Sequence, residues 1–414
     1  MNLRHYTIGL VLLIFFVFAY ISNLLGPIIP DVIKDFKVSG AMAGFLPFSF
    51  FAAYGIMSIP AGFLLEKYNE QIILTASFFI IFLGSSLFAF FPSYSIAIIS
   101  LFIIGTGVAA LQVVINPLLR VAAGPEHYAF YSVIATLMYG LASFLIPGTY
   151  TFMVKSIQNP SEDRGIIIEF LSKNVPENMP WISLYWLFAV IALLMMVIVY
   201  FSKYPKVELQ EDEKVGTLKT FKTLFKNKLV VLYFFGIFAY VGSEQGIANW
   251  ISQFLYEYHD MDPLEQGAQV ISWYWALMSI GCLVGLVLLK VLDSKLVLIF
   301  FTGASIISLT IALIAGPNVS LYAFALMGFF LSVMWGIILS LALNSVKEHH
   351  GAFTSILLTG IVGGAFIPFI IGALSDIFSL KIGMMVLYLT LGYMFFIGFW
   401  ANPLVKNKTI LKEK

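Results

Sequence analysis

Apolar runs of about 20 residues, the length that crosses hydrocarbon, recur from one end of this chain to the other with only short polar stretches between them. A backbone surrounded by lipid has to satisfy its own N–H and C=O groups, so each run is expected to be a helix. Twelve are counted, near residues 6–30, 41–65, 71–90, 95–121, 128–154, 181–200, 229–256, 270–292, 296–316, 321–346, 351–377 and 381–400. Charged residues make up 11% of the 414, against about 25% in a soluble domain. An integral membrane protein follows, with lipid as its surrounding partner. The net charge of +1, with no basic cluster outside the helix junctions, gives no case for nucleic acid. A single cysteine, Cys282, excludes an intrachain disulfide and any multi-cysteine metal site, and its apolar neighbours suggest a packed helix residue. The first run is longer than the apolar core of a signal peptide and lacks a clear small-residue cleavage site, so it is expected to be a permanent span.

The largest charge cluster lies between Lys203 and Lys228, with seven lysines against three glutamates and one aspartate. It divides the expected all-α fold into six-helix halves at 1–202 and 229–400, joined by a linker at 203–228 and followed by a tail at 401–414. Alternation of the spans puts Arg4, Arg120, the linker, Lys290, Lys295, Lys347 and the tail residues Lys406, Lys408, Lys412 and Lys414 on one side. The opposite side receives a mixed-charge loop at 155–180 and a segment bearing Glu257, Asp260, Asp262 and Glu265 with no lysine or arginine. Basic excess marks the cytoplasmic side, so both termini are expected in the cytoplasm. Glu126-His127-Tyr-Ala-Phe130 before the fifth span resembles Glu348-His349-His350-Gly-Ala-Phe353 before the eleventh, an internal repeat six spans apart.

Against this apolar background the polar residues are the candidates for function. Gln112 and Asn116 are four residues apart in the fourth span and share a helical face. Hydrocarbon offers them no partner, so that face is expected to look toward other helices or a wet cavity. Pro117 removes a backbone donor and can bend the same helix. Asn23, with Ser22, Gly26, Pro27 and Pro30 around it, marks the first span as an interrupted helix lining something. The seventh span holds Glu244, Gln245, Asn249, Trp250 and Gln253; Trp273 and Trp275 follow in the eighth, and Trp335 lies in the tenth. Amides both donate to and accept from hydroxyls, and tryptophan covers the apolar face of a sugar ring, so this set favours a neutral polyhydroxylated ligand. Each tryptophan could equally be an interfacial anchor. Asn23, Gln112, Asn116, Glu244, Asn249, Gln253, Trp273 and Trp335 form the candidate binding set. Glu244, Arg120, Glu126 and Glu348 are the candidates for coupling or gating, with Asp31 and Asp376 as loop or gate residues. No nucleotide-binding loop or paired-histidine metal motif is present, which leaves no indication of an enzyme or a bound cofactor. A coupling cation, sodium or proton, is the one further component expected.

The stretches Leu111-Gln112-Val-Val-Ile-Asn116-Pro117, Gly124-Pro125-Glu126, Tyr240-Val-Gly-Ser-Glu244 with Asn249 to Tyr258, and Gly360-Ile-Val-Gly363-Gly364-Ala-Phe-Ile-Pro368 through Ser375-Asp376 carry a resemblance. They resemble the fucose:proton symporter family of the major facilitator superfamily, including its glucose/galactose transporter branch. The resemblance implies a twelve-helix facilitator fold, alternating access and uptake of a monosaccharide at a bacterial inner membrane. It implies that Gln112 and Asn116 stay near the sugar cavity, with Glu244 and Asn249 facing them. Two departures bear on coupling. The family's fucose transporter has an aspartate at the position of Gly26 and a glutamate at that of Gln112, and neither residue here can titrate. The superfamily's basic loop after the second span is degraded to Gly62-Phe-Leu-Leu-Glu66-Lys67-Tyr-Asn. The working expectation is a monomer with an outward-open cavity between the halves; a drug or metabolite exporter of the same fold is the alternative.

Overall fold

A computed structural model describes residues 3–124, 126–158, 165–205, 218–346 and 348–404. Pro125, Lys347, the linker at 206–217 and the tail lysines lie outside the described residues. Among the described residues, twelve helices are long and apolar enough to cross a membrane. In chain order they are α1 Leu3–Phe36, α2 Gly40–Leu65, α3 Glu70–Phe90, α4 Tyr94–Ala123, α5 Phe130–Gln158, α6 Pro180–Phe201, α7 Lys228–His259, α8 Pro263–Val291, α9 Ser294–Ile314, α10 Pro317–Leu343, α11 Gly351–Ile377 and α12 Leu380–Trp400. Short helices at Ile166–Asn174 and Leu218–Phe225 occupy the loop after α5 and the linker.

Local chemistry sets where the spans begin. Ser39, Asn69 and Ser93 cap α2, α3 and α4 by accepting N–H groups from their first turns. The other end of α4 is held differently: the Arg4 guanidinium donates to the carbonyls of Ala122, at 2.6 Å, and Ala123. Arg4, which charge counting treats only as a marker of sidedness, thus closes the carbonyl end of a helix against α1.

Four of the long helices are interrupted, one of them α12 between Met384 and Leu387. α1 breaks between Ser22 and Leu25, α10 between Leu331 and Met334, and α11 tightens to a 3₁₀ turn at Gly360–Val362. The break in α1 is the expected one, because Pro27 has no N–H to return to the Asn23 carbonyl. Asn23, Ser332, Val333 and Ile361, from the interruptions in α1, α10 and α11, line one internal cavity. Irregular backbone at this depth is tolerated where protein or a cavity covers it.

The two sets of six helices meet closely at the end of the bundle away from the termini. There α1 crosses α7 so tightly that a Cβ on Gly26 would stand 2.3 Å from the Ala248 carbonyl oxygen. α2 packs along α11, where the Asp376 carboxylate accepts the Gly40 and Ala41 N–H groups at 2.7 and 2.8 Å. Between α5 and α8, Thr151 donates to the Leu264 carbonyl at 2.6 Å.

Candidate functional site

The cavity holds about 400 Å³ between the two halves, within the range of small-molecule sites. α1, α2, α4 and α5 wall it on one side, and α7, α8, α10 and α11 on the other. From the level of Asn23, Tyr139, Glu244 and Trp275 it runs toward the end carrying the termini, past Phe15, Val133 and Leu286. Leu286, five residues from the end of α8, is 44% exposed. The cavity expected to open away from the termini therefore opens toward them. The reason is the set of contacts at Gly26, Asp376 and Thr151, which close the other end.

Four of the candidate residues are brought together on this wall: Asn23, Gln112, Glu244 and Trp335. Asn23 sits at the break in α1, where its Nδ2 donates to the Tyr139 hydroxyl at 3.0 Å and to Ser143 Oγ at 2.8 Å. Its Oδ1 is buried and has no partner among the described residues, and the same is true of Gln112 Oε1 and Trp275 Nε1. The three residues line the same cavity, while the unpaired atoms themselves are buried in its wall. Trp335 packs near Tyr240, with ring centroids 5.9 Å apart.

Glu244 is 9% exposed, and its Oε1 accepts the Tyr240 hydroxyl at 3.0 Å. It is the only carboxylate among the described lining residues, and none of them is a lysine, arginine or histidine. Such a wall suits a neutral ligand, because nothing on it compensates an anion.

The other candidates stand elsewhere. Asn116 is exposed, one turn beyond Gln112 toward the termini, and donates to the Gln112 carbonyl at 3.3 Å. Asn249 is buried behind the cavity, where its Nδ2 donates to the backbone and side-chain oxygens of Gln245, at 2.8 and 3.4 Å. Gln245, which lines the cavity, is therefore backed by Asn249. Gln253, two turns farther along α7 from Gln245, lies toward the sealed end, and Trp273 stacks on the exposed Tyr322 at 5.8 Å. Trp275, two residues from Trp273 on a helix, takes the opposite side and faces the cavity. Cys282 also lines it, with its thiol donating to the Ser332 carbonyl. Glu126 and Glu348 are exposed at the open end, and Arg120 is half-buried there. Tyr139 and Ser143 had no distinguishing signal in the sequence.

Twelve spanning helices around one central, mostly apolar cavity that is sealed at one end and open at the other define a membrane carrier, not an enzyme. The chain matches the Major Facilitator Superfamily over residues 11–367, and it belongs to that family. It is 27% identical over 395 residues to a glucose/galactose transporter of Brucella abortus, covering 93% of this chain and 92% of that one. It is 24% identical over 394 residues to the L-fucose-proton symporter of Escherichia coli, covering 90% of this chain and 88% of that one. The structure of an Escherichia coli fucose:proton symporter superposes with a TM-score of 0.69 at 22% identity, over 96% of this chain and 99% of that chain.

Proposed function

We propose that this protein takes up a neutral monosaccharide, a hexose such as glucose, galactose or fucose, by alternating access. One observation carries the reading. A cavity of about 400 Å³ between the two sets of helices is lined by the amide residues Asn23, Gln112 and Gln245 and by Trp275 and Trp335, with no cationic side chain among its described residues. Amide side chains both donate to and accept from sugar hydroxyls, while Trp275 and Trp335 offer apolar faces to the ring. The names of the relatives support the same substrate class.

The two six-helix halves, 1–202 and 229–400, rock about this cavity as a monomer in a bacterial inner membrane. With both termini in the cytoplasm, as the distribution of basic residues favours, the observed state is inward-facing. Glu244 is the coupling group: the family's two N-terminal carboxylates are replaced by Gly26 and Gln112, and Glu244 is the carboxylate left on the described wall. A bound sugar displaces the water that hydrates the carboxylate, so sugar and proton favour each other's binding. Arg120, Glu126 and Glu348 close the cytoplasmic end in the opposite state.

Reconstituted protein should take up labelled hexose saturably, and Asn23→Ala, Gln112→Ala and Trp275→Phe should each weaken uptake about 3- to 10-fold, the worth of one hydrogen bond. Wild-type kinetics in all three would end this assignment of the site. Glu244→Gln should abolish accumulation driven by a proton gradient; persistence of that accumulation would remove Glu244 from coupling.

A further inference from the structure

The short helix Ile166–Asn174, between α5 and α6, does not line the cavity, yet it bears a bare apolar face. Ile166 is 86% exposed, Ile167 71% and Phe170 50%. At 3.6 residues per turn this helix has three sides. Leu171 is buried and Ile168 half-buried on the side packed toward the bundle. Glu169 and Lys173, four residues apart and paired at 2.7 Å, form a charged side. Ile166, Ile167 and Phe170 fill the arc between those two. A helix at a protein–water surface needs only a packed side and a polar side. A third side, apolar and uncovered, fits a helix lying along a bilayer with acyl chains beside it.

Its place in the fold points to the same partner. The helix packs against α5, and the Phe170 ring meets Trp186 of α6 edge-on, with centroids 5.6 Å apart. Trp186 in turn meets Phe90, the last residue of α3, at 4.5 Å. These rings stand where the spans end, the level at which aromatic belts mark a membrane–water boundary. From Trp186 an exposed stripe runs down α6 through Val190, Leu194 and Val197, spaced as one face of a spanning helix. Lipid covers that stripe, and through the Phe170–Trp186 contact the bare arc of the short helix continues it.

We propose that Ile166–Asn174 is an interfacial anchor: it lies in the headgroup layer at the sealed end, with Ile166, Ile167 and Phe170 among the acyl chains and Glu169 and Lys173 in water. The partner is a lipid surface. The other way to cover this face is a second copy of the chain, but three side chains fall far short of the about 800 Å² per partner that a stable dimer buries.

The test uses the full chain, reconstituted in phosphatidylcholine vesicles, with one nitroxide label at Ile166→Cys, Ile167→Cys or Lys173→Cys in a Cys282→Ser background that removes the single native cysteine. Power saturation compares collisions with oxygen, which concentrates in lipid, and with a nickel chelate, which stays in water. Oxygen should dominate at 166 and 167, and the ratio should reverse at 173. Leaving Phe170 in place keeps its contact with Trp186 intact in every variant. Nickel-chelate collisions as frequent at 166 and 167 as at 173 would place the apolar arc in water and overturn the anchor. Shielding of 166 and 167 from both reagents, or broadening between labels at 167 that vanishes on dilution with unlabelled protein, would show that protein covers the face and would overturn it equally.

Discussion

Replacing Asp376 with asparagine tests whether the sealed end is held by a specific latch. The Asp376 carboxylate at the end of α11 accepts the Gly40 and Ala41 N–H groups at the start of α2, at 2.7 and 2.8 Å. These donors belong to the first turn of a helix, where N–H groups are unpaired within the helix and the dipole favours negative charge. The approach is close enough that a Cβ on Gly372 would lie 2.2 Å from the Gly40 carbonyl oxygen. Because the bond spans the two halves, it exists only while this end is closed. Asparagine keeps one acceptor oxygen but loses the charge and one of the two bonds. At this exposed position a cap is worth about 1 kcal/mol and the charge about 0.3–1 kcal/mol. A loss of about 1–1.5 kcal/mol shifts the closed-to-open ratio about 5- to 10-fold toward opening at this end. Spin labels at Lys37→Cys and Phe378→Cys, both exposed at this end, read the two populations as two distances, in a Cys282→Ser background that removes the single native cysteine. An unchanged distribution in Asp376→Asn would refute the latch.

Two further outcomes are expected. Gly26→Asp restores the residue of the family's fucose transporter at a position where even a Cβ would lie 2.3 Å from the Ala248 carbonyl oxygen; it should hold that end open and abolish transport, and the same distance measurement checks it. Arg4→Ala removes two donors from the carbonyl end of α4 and should lower stability by about 1–2 kcal/mol, seen as a lower Tm for the purified protein with its hexose competition profile retained.

Much of this was legible in the sequence because a membrane makes polarity conspicuous. Gln112, Asn23 and Glu244 stand out in apolar runs because a polar group in hydrocarbon has to be answered, and Pro27 announces the break in α1. Depth and facing were less legible. Gln245 and Asn249 are four residues apart on one helix face, yet only the first reaches the cavity while the second hydrogen-bonds to it from behind. Trp273 and Trp275 look alike in sequence, and only neighbouring helices decide which meets the cavity and which stacks on Tyr322. Ser143 gave no signal, since a serine that bonds back to its own helix carbonyl is an ordinary guest in a membrane helix. Asp376 was recognisable as a loop or gate residue, but its two N–H partners come from the other half of the chain and lie more than three hundred residues away.

The position of Asn23 connects ligand and gate. It lies in the break, two residues before α1 resumes at Leu25, and Gly26, three residues on, makes the tight crossing with Ala248. On the cavity side, Asn23 is tied through its amide to Tyr139 and Ser143 of α5. A ligand can shift a two-state equilibrium only through contacts that differ between the states. A ligand in contact with Asn23 would engage the chain at the joint between the cavity wall and the segment 25–36, which seals the end away from the termini, so the strength of that contact would depend on where the joint stands. The break in α1 thereby places a cavity-lining residue, Asn23, directly beside the segment that seals the end away from the termini.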